Sequence, residues 1–273
     1  MARAIRCSGR SLQYNERNTA GAHVGTENRQ TMHSLAQQNT KPPVDRKFSV
    51  TKAQANLQER KRRESEARKK HIISIVKALI KKGGAREITI RRVAEEAGFS
   101  TTIVYALFKD KATLITQAMD EALFELVRLM KKAASQHEDA LERIRACGKA
   151  YVQFGIKNPD EYALVFMERR PHAPVEAAVV EHGNVNQDPY AFAYSLFAAL
   201  REQGVVDGSD EQVHLMTQIF WNGIHGLTSI SLVMDEGDVW TPKLDLAAHV
   251  ESLLDVLMSG IQQRFHAASI PQH

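Results

Sequence analysis

The stretch Thr89 to Lys111, TIRRVAEEAGFSTTIVYALFKDK, narrows most what this chain can fold into. Val93, Ala94, Ala97, Phe99, Val104, Leu107 and Phe108 recur at helical spacing on either side of Gly98, which predicts two short helices locked across one another at a tight turn. Ala94 is small where the helices must approach closely. Gly98 stands where the chain must turn, because a left-handed backbone conformation costs little at glycine. Ser100 is placed to cap the helix that begins at Thr101, its hydroxyl accepting from a free backbone N–H. Thr101, Thr102, Tyr105 and Lys109 then share an outward face that is polar and cationic but not acidic. A helix of this kind, braced by its partner, fits the major groove of double-stranded DNA, so the segment reads as a helix-turn-helix.

The charge distribution points the same way. The chain has a net charge of +4, yet Arg60 to Arg92 holds thirteen Lys/Arg against Glu64, Glu66 and Glu87, a net of +10 that leaves −6 on the remainder. A basic segment abutting a groove-fitting helix has a simple reading in attraction to phosphate; a solvated helix face is the alternative.

The run I-T-I-R-R-V-A-E-E-A-G-F-S-T-T-I-V-Y-A-L-F-K-D-K closely resembles the DNA-binding segment of the tetracycline-repressor-like (TetR) family of bacterial transcription regulators. Tyr105, Phe108 and Lys111, followed by Leu114, match that family's recognition helix and the start of its fourth helix. Ala106 and Leu107 depart from the pattern, standing where the family usually carries aromatic or His side chains that meet phosphate or base. The residues expected at DNA are Thr89, Arg91, Ser100, Thr101, Thr102 and Tyr105, with Lys109 and Lys111 placed for phosphates. The resemblance further implies a homodimeric repressor that leaves its operator when a small-molecule effector binds the C-terminal domain, working in the bacterial cytoplasm.

The full chain of 273 residues, 43% of them hydrophobic, suits one small domain joined to a larger one. Residues 1–58 are polar, lack apolar periodicity and contain Lys41-Pro42-Pro43, so a disordered N-terminal extension is expected there. Its Arg-rich opening, ARAIRCSGR, is followed by no secretory apolar core, which favours an extended start over a presequence. The expected domains are 59–114 for DNA binding and 115–266 for regulation and dimerisation, with a tail at 267–273. Ile72, Ile73, Ile75, Val76, Leu79 and Ile80 predict a helix closed by Gly83-Gly84, and charge density rising from Asn56 allows that helix to begin early. From Ala112 the chain reads as helical almost throughout, without a linker, giving an all-α fold. Pro159 opens a short helix. The Pro- and Gly-bearing stretch 169–189 is an irregular connection, with room for a short helix in VEAAVV. Helices over roughly 209–236 and 244–265 finish the chain.

The first of these two contains Trp221-Asn222-Gly223-Ile224-His225-Gly226, a W-x-x-x-H-G pattern that resembles the C-terminal domain of one subgroup of the same family. Trp221 and His225 share a face, and Gly223 and Gly226 allow another backbone to come close. With Phe154, Tyr162, Phe166 and Tyr194 they are candidates to line an effector pocket; the alternative is that they are packed core or dimer contacts. Leu246, Val250, Leu253, Leu254, Val256, Leu257 and Ile261 give the last helix a wide apolar face, and with the implied dimer they are interface candidates.

Other classes find little support. Cys7 and Cys147 make neither a disulfide framework nor a zinc site. The His spacing offers no local chelate, and no phosphate loop, nucleophile elbow or convergent pair of carboxylates appears, so no metal, cofactor or catalytic site is expected. The longest apolar runs are interrupted before bilayer length, so no membrane partner is expected either. Two rival functions remain: an effector-independent DNA-binding protein, and a helical ligand- or protein-binding module without DNA competence.

Overall fold

The computed structural model describes residues 52–169, 171–173, 177–234, 242 and 244–266. Among them are nine α-helices, one turn of 3-10 helix at Ala85–Glu87 and an isolated antiparallel bridge between Val206 and His266. No helix in this set is long and apolar enough to cross a membrane. Residues 1–51 and 267–273, and with them Cys7, most of the expected extension and the tail, lie outside the described residues, as do 175–176 of the suggested VEAAVV helix.

Helix α1 runs from Lys52 to Gly83. Its C-terminal half buries Ile72, Val76, Leu79 and Ile80, and the chain leaves it at Gly84, whose φ of 74° lets its N–H donate to the Ile80 carbonyl at 2.7 Å. The N-terminal half buries none of its described side chains; Ala, Gln, Glu, Lys and Arg are good helix formers, and Glu59 pairs with Arg62 and Arg63 one turn on. The expected boundary at residue 58 therefore falls inside α1.

Helices α2 (Ile90–Ala97) and α3 (Thr101–Phe108) pack on α1 through Val93, Ala94, Ala97, Val104 and Phe108. Asp110 caps α4 (Lys111–Ala134), accepting from the Thr113 N–H at 2.7 Å, a bond that holds its carboxyl below the usual carboxylate range. The helix then runs unbroken from the small domain into the large one. Helix α5 (Ala140–Lys157) lies along α4, α6 (Pro159–Phe166) begins on Pro159, and α7 (Pro189–Glu202), α8 (Asp210–Val233) and α9 (Leu246–Arg264) complete the body. Ser209 and Gln212 form a reciprocal capping box at the start of α8. The crossing of α5 with α8 depends on two glycines: a Cβ on Gly148 would stand 2.7 Å from Phe220, and one on Gly155 would stand 2.4 Å from Thr228.

The last helix differs from expectation. Val250, Leu254 and Ile261, named as dimer contacts, are buried inside their own protomer, and Leu246, Leu253 and Leu257 are half-buried against the same core. The wide apolar face arises because α9 lies against both α5 and α8 and so needs two partners of its own chain. Ion pairs Lys149–Glu251 and Arg145–Asp255 tie it to α5. Val256 points outward. The close approach at Gly223 is likewise made by a side chain, Leu257 of α9, and not by a second backbone.

Candidate functional site

Two features stand out: an exposed helix face in the small domain and a cavity in the large one. Thr89 caps α2, its hydroxyl accepting from the Arg92 N–H at 3.2 Å, and Gly98 ends that helix in the left-handed region at φ 69°. The Phe99 N–H donates to the Ala94 carbonyl at 2.9 Å, which fixes the turn. Ser100 then accepts from Ile103 N–H at 3.4 Å and starts α3. With Val104 and Phe108 turned inward, Thr101, Thr102, Tyr105 and Ala106 face solvent. Lys109 and Lys111 are exposed at the far end, Lys109 at a φ of 49° that few non-glycine residues adopt. Arg91 is exposed but engaged with Glu95 at 2.9 Å.

The cavity has a volume of about 340 Å³ and is walled by α4, α5, α7 and α8, with Phe166 of α6 and the 180–188 segment closing it. Its lining is mostly apolar: Leu123, Met130, Phe166, Phe220, Trp221 and Ile224 face Tyr151 and Tyr190. Burial pushes the Cys147 thiol on this wall up to about 12, which keeps it protonated. Asp188, the carboxylate at the lining, is occupied: its oxygens accept from the N–H groups of Tyr190, Ala191 and Gly183. Buried Asp120 of α4 holds the covering segment by accepting from Val179 N–H at 2.6 Å.

Behind the aromatic wall runs a polar chain. Trp221 Nε1 donates to the Tyr151 hydroxyl at 3.1 Å, Tyr151 and Tyr162 hydroxyls meet at 3.1 Å, and the Tyr162 hydroxyl lies 2.6 Å from His225 Nδ1. Burial raises both tyrosine pKa values and lowers that of His225, which favours a neutral chain.

Residues 72–118 match the family described as bacterial regulatory proteins of the tetR family, and residues 144–257 match the tetracyclin repressor-like C-terminal domain. Together the matches span more than half of the chain. The chain belongs to the TetR family. It is thus a DNA-binding transcriptional regulator with a C-terminal ligand-binding domain. Solved structures share the fold. A protein of unknown function from Rhodococcus sp. RHA1 superposes with a TM-score of 0.59 at 19% identity, over 72% of this chain and 96% of that one. A TetR family transcription regulator from Marinobacter aquaeolei VT8 gives 0.53 at 16% identity, over 74% and 98%. The TetR family regulator PfmR from Thermus thermophilus gives 0.50 at 16%, over 69% and 97%. No curated protein matches the chain.

In this TetR-family regulator the expected pocket residues divide. Phe166 and Trp221 line the cavity, while Tyr162 and His225 stand behind its wall in the polar chain. Tyr194 faces an outer groove, its ring tilted against that of His214 with centroids 4.3 Å apart. Phe154 belongs to the core: it follows Cys147 and Tyr151 on the same face of α5 but is buried and does not line the cavity. Tyr151 and Tyr190 were missed. Tyr151 carried a signal in its four-residue spacing from Cys147, whereas His182 and Asp188 come from an irregular segment that no periodicity places.

The lowered pKa of His225 has a consequence for stability. The unfolded chain takes up this proton first as pH falls, so the contribution is complete above the ordinary histidine value near 6.5 and declines below it. Melting curves from pH 7.5 down to about 5 are expected to fall more steeply for the wild type than for His225→Phe. Parallel curves would place the sensitivity in other groups.

Proposed function

We propose that the protein is a homodimeric repressor, acting in the bacterial cytoplasm, whose paired α3 helices read a palindromic operator and release it when a small, largely apolar molecule enters the cavity. One observation carries the reading. Helix α4 begins at Lys111, beside the DNA-facing end of α3, and the same helix contributes Leu123 and Met130 to the cavity wall. Twelve to nineteen residues at about 1.5 Å each make a rigid lever of roughly 18–29 Å between them. A second path runs through α6, where Phe166 lines the cavity and Glu161 pairs with Lys77 of α1 at 3.1 Å. A molecule that binds better to one setting of these helices shifts the spacing of the two α3 helices, by as much as its affinities for the two settings differ.

Tyr151, Trp221, Tyr190 and Asp188 of the lining already have protein hydrogen-bond partners, and the lining presents no Lys or Arg, which is why the effector is assigned as largely apolar. For the dimer, Leu215, Ile219, Ile230 and Val233 form an exposed stripe along α8, and Val256 of α9 is exposed as well. Two such faces related by a two-fold axis make a four-helix bundle and set α3 against α3 for half-sites about 34–36 Å apart, or further on bent DNA.

Gel shifts on the promoter DNA flanking the protein's own gene, with and without candidate metabolites, test the reading. Tyr105→Ala is expected to weaken binding by about 1–3 kcal/mol on the cognate duplex and much less on unrelated sequence. An equal loss on both would remove Tyr105 from base recognition. Binding that no metabolite alters would favour an effector-independent DNA binder, and absence of binding a ligand-binding module.

A further inference from the structure

We propose that the groove between the N-terminal half of α1 and the flank of α3 is a second DNA-contact site, in which Lys61 and Arg68 hold the phosphate backbone beside the recognition helix. The proposal rests on the reading that α3 binds duplex DNA.

Lys61, Ser65 and Arg68 are spaced four and three residues apart, so they form one stripe along α1. Together with Glu64 they face Ile103, Ala106 and Leu107 of α3 across a groove of about 270 Å³. From Lys52 to Lys70 the helix carries eight Lys/Arg and three Glu, a net of +5, with none of its described side chains in the core. Two of the three carboxylates are engaged by other cations: Glu59 binds Arg62 and Arg63, and Glu64, which also lines the groove, lies 3.7 Å from Arg60. Among the described residues Lys61 and Arg68 have no ion-pair partner.

Groove geometry supplies the occupant. A helix with its side chains is about 10–12 Å across and the major groove about 12 Å wide, so phosphates must run directly against both flanks of an inserted α3. On the α1 side that flank is Ala106 and Leu107, which are short or apolar and offer no donor to a phosphate. Lys61, Arg68 and the Ser65 hydroxyl, one helix away, provide the donors there. The departure from the family pattern at Ala106 and Leu107 is thereby matched by cations from a different helix.

The test uses the full-length protein and a 30-bp duplex that it selects from a random-sequence library. Lys61→Ala/Arg68→Ala is compared with Lys132→Ala/Lys157→Ala, which removes the same charge from exposed positions of the large domain. The plot of log affinity against log salt is expected to be shallower for the groove variant by about 0.9 for each phosphate no longer neutralised, up to about 3.6 for two protomers. The control variant is expected to keep the wild-type slope. Glu64→Gln, which removes the groove's carboxylate, is expected to bind more tightly than wild type. A groove variant with the wild-type slope, or a control whose slope falls as far, overturns the proposal. Failure of the wild type to enrich any duplex would instead overturn the DNA-binding reading, and this proposal with it.

Discussion

Lys77→Ala is expected to cost about 3 kcal/mol, a fall in Tm of roughly 6–12 °C for a body of this size. The Glu161 side chain is 8% exposed and its partner Lys77 30% exposed, with the ions 3.1 Å apart at the joint between α1 and α6. Removing the lysine leaves a nearly buried carboxylate without its counter-ion, which is the costly half of the pair to orphan. Glu161→Gln leaves the better-solvated ammonium behind and is expected to cost only about 1 kcal/mol. Replacing both by methionine removes the two desolvation costs and should restore stability to near the wild-type value. The double variant separates structure from function, because its α1–α6 joint is no longer held by a charge pair. It is expected to melt like the wild type and yet to bind operator with a changed affinity. Equal costs for the two single variants would show that the joint is wetter than its geometry indicates, and an unchanged operator affinity in the double variant would remove this joint from the coupling.

Two substitutions only two residues apart on α9 are expected to have opposite consequences. Leu254 is 0% exposed and Val256 69% exposed. Leu254→Asp places a carboxylate among Phe220 and the apolar wall of α5 without a partner, so a loss of more than about 4 kcal/mol and a protein that does not fold stably are expected. Leu254→Ala is the measurable surrogate, at about 3–5 kcal/mol from reduced burial and the cavity left behind. Val256→Asp replaces a mostly exposed side chain outside the core and is expected to change the protomer's stability by less than about 0.5 kcal/mol. Its effect is on assembly: light scattering should show a folded monomer, as for Ile230→Asp on α8, with weak affinity for a two-half-site operator. Dimers that persist in both variants would place the interface elsewhere, and a monomeric wild type that binds a palindromic site tightly would refute the two-fold arrangement.

Much of the small domain was legible because its determinants are local. Gly98 at positive φ, the Ser100 cap, Val104 and Phe108 inward with Thr101, Thr102 and Tyr105 outward all follow from a spacing of three or four residues. Helix α1 was legible in its apolar half and over most of its polar half, but its first turns, residues 52–58, were assigned to the extension. There the low apolar content suggested a tail, while good helix formers such as Lys52, Gln54, Ala55, Leu57 and Gln58 carry the helix back to Lys52. The cavity was legible only in part, since Trp221 and Phe166 carry a helical register but nothing local says that Tyr190 and Asp188 close the same space.

By itself, then, the sequence determined the all-α class, the helix-turn-helix with its capping residues and outward face, and the basic segment that precedes it, because hydrophobic period, caps and charge act over one or two turns. The tertiary structure decided which apolar face meets which neighbour. Helix α9 shows why: seven apolar residues define a face but not its partner, and only the placement of α5 and α8 makes Leu254 interior and leaves Val256 outside. The same holds for Phe154 and Tyr194, aromatic residues on well-placed helices that the packing leaves in the core and at an outer groove, not in the cavity. It holds again for Lys61 and Arg68, whose place beside Ala106 depends on how α1 crosses α3, a relation between residues some forty positions apart that no local periodicity encodes.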